Sequence, residues 1–281
     1  MNIYQAIWDA DMNGNGIRPM FNKECTELSH GYVVVNSKIS QFEHHIFNEV
    51  YLPEHKSDSY QLVQALFDNF TLNQTSKEKI LEKESLEVEE FLRYVIQTPP
   101  IEIAKQYIKR QIHKNFTEEE WYTHLYDLWF RPFNFESGKD LTGFEHVFIG
   151  EQKGKNLAGH HFWYKHWLEE NGELNPLHKD QIDINHSKNN KKVACTPDFI
   201  SVGYCINAYD YEKQRYINLL KKKCAFFVGV SAEGLMAMGT VRAMLQDLIP
   251  EEFSINNSCY KLGLYMSPDG KSIRTLYPFL L

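Results

Sequence analysis

Two histidines stand fifteen residues apart, each in an apolar stretch punctuated by glycine. The first lies in Gly143-Phe144-Glu145-His146-Val147-Phe148-Ile149-Gly150-Glu151 and the second in Gly159-His160-His161-Phe162-Trp163. Imidazole has an ordinary pKa of about 6.5, so near neutral pH one ring can be neutral while another is charged. Two such rings brought together by a fold make a general acid–base pair. His146 and His161 are the candidates, although both also fit as ordinary polar residues of a half-buried strand and helix.

The flanking residues indicate which elements must hold them. Gly143 to Glu151 alternates apolar and polar side chains, which predicts a strand with Glu145 pointing away from His146. Gly150, Gly154 and Asn156 predict a turn, and Phe162, Trp163 and Trp167 recur at near-helical spacing. His146 is therefore expected on a strand and His161 at the mouth of a helix.

Other chemistries fit less well. Gly229-Val230-Ser231-Ala232-Glu233 lacks the glycine that a nucleophile elbow needs where Glu233 stands, so Ser231 reads as a helix N-cap. His160, His161 and His166 do not have the spacing of a zinc motif. Asp11-Met12-Asn13-Gly14-Asn15-Gly16 opens like a calcium loop, but Asn22 stands where the closing glutamate belongs, and a turn is expected. The five cysteines, Cys25, Cys195, Cys205, Cys224 and Cys259, are odd in number and form no Cys-x-x-Cys, which argues against a disulfide framework or zinc knuckle.

The chain has 281 residues, 43% hydrophobic and 14% aromatic, enough for a substantial core, and a net charge of −7. Such a balance excludes a global basic field, so any nucleic-acid contact must use a local patch. Lys179, Lys188, Lys191 and Lys192, in an asparagine-rich loop, are one candidate. The N-terminal residues have neither a basic start nor an apolar core, and no apolar run approaches ~20 residues. A cytoplasmic protein without membrane contact is the expectation.

Residues 1–137 read as a helical region. Its stripes are Ile3, Ile7 and Trp8; Leu62 to Phe70; the acidic amphipathic stretch Glu78 to Ile96; Ile101 to His113; and Glu118 to Phe130, with Thr117 as N-cap. Residues 138–281 read as strands and shorter helices. Val193 to Ala208 and Lys223 to Val230 predict strands, Ser231 to Leu248 a helix, and Tyr260 to Tyr277 a closing hairpin around Ser267-Pro268-Asp269-Gly270. The class is α+β.

The stretch around His146, followed by Gly-His-His, resembles the signature of the EndoU family, the poly(U)-specific endoribonucleases. Ala6-Ile7-Trp8-Asp9-Ala10-Asp11-Met12-Asn13, Leu66-Phe67-Asp68-Asn69-Phe70 and Leu128-Trp129-Phe130 are similar to further signatures of the animal-type members, so the likeness spans nearly the whole chain. It implies a catalytic region of two small antiparallel sheets facing across a cleft. It also implies cleavage of single-stranded RNA at uridylates, with 2′,3′-cyclic phosphate and 5′-hydroxyl ends. In that reaction a base takes the 2′-hydroxyl proton, an acid protonates the leaving 5′-oxygen, and a cation balances the phosphorane.

Carried onto this sequence, His161 is the base and His146 the acid, with the reverse assignment open. Phe227-Val228-Gly229-Val230-Ser231-Ala232-Glu233 matches the family segment that follows the catalytic lysine, which selects Lys221, with Lys223 as the alternative. Arg274-Thr275-Leu276-Tyr277-Pro278 resembles the family's Thr-x-Tyr segment, implying that Thr275 and Tyr277 hold the base or sugar. Glu145 and Glu151 are expected in supporting, histidine-orienting roles. The family commonly has a serine four residues after the lysine. Here Ala225 stands there, implying only a modest preference for uridine over cytidine. No cofactor is required for this chemistry. The resemblance implies dependence on manganese or calcium, in tuning folding or RNA binding. A monomer is expected, and the rival reading is a noncatalytic RNA-binding protein on the same fold.

Overall fold

The structure is a computed structural model. It describes residues 2–23, 28–37, 45–79, 81–171, 181–184 and 194–281. Helix α1 (Ile3–Asn13) starts where the Asn2 side chain accepts the Gln5 N–H and stops at Gly14. Strands follow it: β1 (Arg18–Met20), β2 (Tyr32–Val35) and β3 (Phe47–Tyr51) form a three-stranded sheet. This corrects the wholly helical reading of the first half. Tyr32-Val33-Val34-Val35 is buried along its whole length, so no alternation betrays the strand.

The remaining helices of this half follow the predicted stripes: α2 (Ser57–Ala65), α3 (Glu82–Val95), α4 (Pro99–Ile112) and α5 (Glu118–Trp129). Pro99 opens α4 at a position whose N–H has no helical partner to lose. The Thr117 hydroxyl accepts the Glu120 N–H while the Glu120 side chain accepts the Thr117 N–H, closing the capping box.

Strands β4 (Phe133–Phe135) and β5 (Gly138–Leu141) pair as a hairpin. A larger sheet takes in β6 (Glu151–Lys153), β7 (Asn156–Ala158), β8 (Ile182–Asp183), β9 (Ala194–Thr196), β10 (Phe199–Asp210) and β11 (Arg215–Phe227), with α6 (Trp163–Asn171) between β7 and β8. Its order is β6-β7-β11-β10-β8, with β9 on β10. The β7–β11 pairing is parallel while the other pairings of this sheet are antiparallel, so it is mixed where a purely antiparallel sheet was expected. Helix α7 (Ala232–Leu245) follows, and β12 (Glu252–Ile255), β13 (Ser258–Met266) and β14 (Ile273–Leu280) close the chain as an antiparallel sheet containing the expected hairpin.

Helix α7 is buried almost all round and packs against α1 and α4, giving one continuous apolar core. Ser231 caps it by accepting the Gly234 N–H. Buried Asp11 accepts the Ser231 N–H at 2.9 Å and the Ser231 hydroxyl, while Glu233 accepts from Ser59 and Asn15. Asp11 therefore ties α1 to α7, and Ser231 is engaged as a cap. Burial and the neighbouring Glu233 push Asp11 up to about 7. The lysine loop Lys179 to Lys192 falls almost wholly outside the described residues, its lysines with it.

Candidate active site

His146 lies on a π-helical turn (Glu145–Ile149), not on a strand. Thr142 starts it, its hydroxyl accepting the Glu145 N–H at 3.1 Å, and Phe144, Val147 and Phe148 face the core at helical spacing. Gly150, at φ +90°, ends it by donating its N–H to the Glu145 carbonyl five residues back. π turns are rare and concentrate at functional sites.

His161 stands two residues before α6, as expected, and backbone contacts fasten it to that turn. The His160 N–H donates to the His146 carbonyl at 2.9 Å, and the His161 N–H to the Val147 carbonyl at 2.6 Å. The approach depends on Gly159. At φ +67°, it lies so close that a Cβ would fall 1.8 Å from the His146 carbonyl oxygen. The two imidazole centroids are 6.4 Å apart.

Both rings line a cavity of about 570 Å³, with Ser201, Lys221, Lys223 and Ala225 from the larger sheet and Tyr265, Arg274, Thr275 and Tyr277 from the C-terminal one. The structure thus brings together His146, His161, Lys221, Thr275 and Tyr277. Tyr277 stacks on His161 with centroids 5.1 Å apart and planes 19° apart. In a chain of net charge −7, this lining carries Lys221, Lys223 and Arg274 and no carboxylate among the described residues. It is the local basic surface that an anionic substrate requires.

Each reactive side chain has a defined partner. Nδ1 of His161 donates to the Ala225 carbonyl at 2.9 Å, leaving Nε2 with the lone pair. Burial, then the charges of Lys221 and His146, hold His161 well below the ordinary histidine range. Nδ1 of His146 meets Oε2 of buried Glu151 at 3.3 Å. Lys221 is buried and donates from Nζ to the Gly159 carbonyl; burial lowers its pKa. Glu145 does not line this cavity but a separate one of about 60 Å³. Burial and then Glu151 push its pKa well up.

Lys221, Lys223 and Ala225 are alternate residues of β11 and all line the cavity, although the strand is irregular there. Val202 pairs with Cys224 but Tyr204 pairs with Lys221, so the strand bulges at Lys222 and Lys223. Sequence reading missed the support behind the histidines. Buried His160 joins Tyr204 through Nδ1 and Glu169 through Nε2 at 2.7 Å, and Glu169 also pairs with Lys165. Burial opposes the charge on Glu169, but Lys165 and His160 outweigh it and hold the carboxyl at about 2. Only the i, i+4 spacing of Lys165 and Glu169 hinted at this network. For the manganese or calcium that the resemblance implies, the described residues offer no group of three or more His, Cys, Asp or Glu placed to hold a metal ion.

A paired-imidazole site with a buried ammonium, in a basic cavity on an α+β fold, has the makings of an acid–base phosphodiesterase. The family model for Endoribonuclease XendoU matches residues 1–278, and the chain belongs to that family. It is 26% identical over 289 aligned residues to Uridylate-specific endoribonuclease C of Danio rerio, covering 100% of this chain and 87% of that protein. It is likewise 26% identical to Poly(U)-specific endoribonuclease-B of Xenopus laevis, covering 99% of this chain and 92% of that one. The solved structure of XendoU, described as a splicing-independent snoRNA-processing endoribonuclease, shares the fold with a TM-score of 0.68 at 21% identity, covering 99% of this chain and 96% of that one.

Proposed function

We propose that this chain cleaves single-stranded RNA on the 3′ side of uridylates by attack of the 2′-hydroxyl. One observation carries the reading: two imidazoles and a buried ammonium converge on a basic cavity whose lining has no carboxylate among the described residues. Neutral His161, its Nδ1 proton committed to Ala225, presents Nε2 as the base for the 2′-hydroxyl. His146, oriented by Glu151, protonates the leaving 5′-oxygen. An ammonium has three donors and Lys221 spends one on Gly159, so the others can meet charge developing on the phosphorane. Tyr277 and Thr275 hold the nucleotide by stacking and by a hydroxyl contact.

The names of the relatives support uridylate as the preferred target. Manganese or calcium, where it acts, tunes folding or RNA binding. The test is end-group analysis of the products: 2′,3′-cyclic phosphate and 5′-hydroxyl ends are expected, and 3′-hydroxyl with 5′-phosphate ends would refute the mechanism.

A further inference from the structure

We propose that the hydroxyl of Ser201 is a hydrogen-bonding contact to the edge of the pyrimidine at the scissile position; the proposal rests on the ribonuclease reading above. Ser201 on β10 pairs directly with Ala225 on β11. Opposite residues of an antiparallel pair project to the same face, and both line the cavity. The Ala225 carbonyl orients His161, so Ser201 stands one strand from the backbone that sets the base. The register shift that bulges β11 begins at the next residue, Val202, and bulges beside active sites re-aim side chains.

Ser201 is 6% exposed, and its hydroxyl has no hydrogen-bond partner among the described residues. That hydroxyl is not sealed in the interior but open to the cavity, so a ligand seated there can bond it directly. The charged groups nearby are engaged or suited to phosphate: His161 with Ala225, His146 with Glu151, Lys221 with Gly159. A neutral hydroxyl can donate to a pyrimidine carbonyl oxygen or accept from the N3–H of uracil. Ala225 contributes only a methyl group, leaving Ser201 to supply the hydroxyl from the neighbouring strand. The missing serine at position 225 then does not imply weak base recognition.

The experiment compares kcat/KM on two oligonucleotides, one with a single uridine at the scissile position and one with an abasic ribonucleotide there. Ser201→Ala should lower the uridine-to-abasic ratio roughly two- to twelve-fold, the effect of one hydrogen bond. The double variant Ser201→Ala, Ala225→Ser moves the hydroxyl across the strand pair and should restore much of the ratio. An unchanged ratio, or equal loss on both substrates, would overturn the proposal. Should the unmodified chain cleave neither, the ribonuclease reading fails separately. Affinity for the uncleavable 2′-deoxyuridine and 2′-deoxy abasic versions then decides: Ser201→Ala must shrink their difference by a similar factor, and no change refutes the contact.

Discussion

Nδ1 of His161 donates to the backbone carbonyl of Ala225 at 2.9 Å, so the tautomer of one imidazole is set by a main-chain atom of β11. A carbonyl only accepts, which places the proton on Nδ1 and the lone pair on Nε2. His161→Ala and His146→Ala should each lower cleavage by at least ~10², with RNA affinity kept within about tenfold. Single-turnover rates beside a binding titration check this, and near-normal turnover in either variant would remove that ring from the mechanism.

The pH profile follows from the burial of His161. A base works in its neutral form, so the rate rises with pH through its pKa. Because burial and the charges of Lys221 and His146 hold that pKa well below the ordinary value, the acid limb of kcat/KM should fall below pH ~6.5. The alkaline limb falls as the acid loses its proton. A profile flat from pH 5 to 8 would be incompatible with two imidazoles sharing the proton transfers.

The two cavity lysines should separate kinetically. Lys221→Met should lower kcat by at least ~10² because its ammonium meets charge that develops in the transition state. Lys223 is exposed, with its Nζ 6.0 Å from the Phe279 ring centroid, so Lys223→Met should mainly raise KM and flatten its salt dependence. The opposite pattern would assign the chemistry to Lys223.

Gly159→Ala tests how the histidines are pinned together. The new methyl would overlap the His146 carbonyl, and the residue would be held at positive φ. Loss of about 1–3 kcal/mol of stability is expected, with kcat falling at temperatures where the variant remains folded. Thermal melts beside turnover measure both; an unperturbed kcat would show that this contact does not set the spacing of the rings.

Much of the site was legible in sequence because its residues sit in short ordered segments: His146, His161, Lys221, Thr275 and Tyr277 all reach one cavity. The element carrying His146 was not. Phe144, Val147 and Phe148 suit a helix, but over so few residues alternation competes with helical spacing. The Thr142 cap and the Gly150 closure decide it. β2 escaped because a strand buried along its length has no period to show. The Glu169–His160–Tyr204 chain and the Ser201–Ala225 pair depend on contacts between distant segments and on strand register, which one sequence does not display.

The most direct test of attack by the 2′-hydroxyl uses two short oligonucleotides, alike except that one carries a single uridine and the other 2′-deoxyuridine at that position. Removing the hydroxyl removes the nucleophile while leaving the base and the phosphate charge. Cleavage of the uridine substrate alone, on the 3′ side of that nucleotide, is expected. Cleavage of both would contradict the mechanism, and cleavage of neither would leave a binding protein on a nuclease fold.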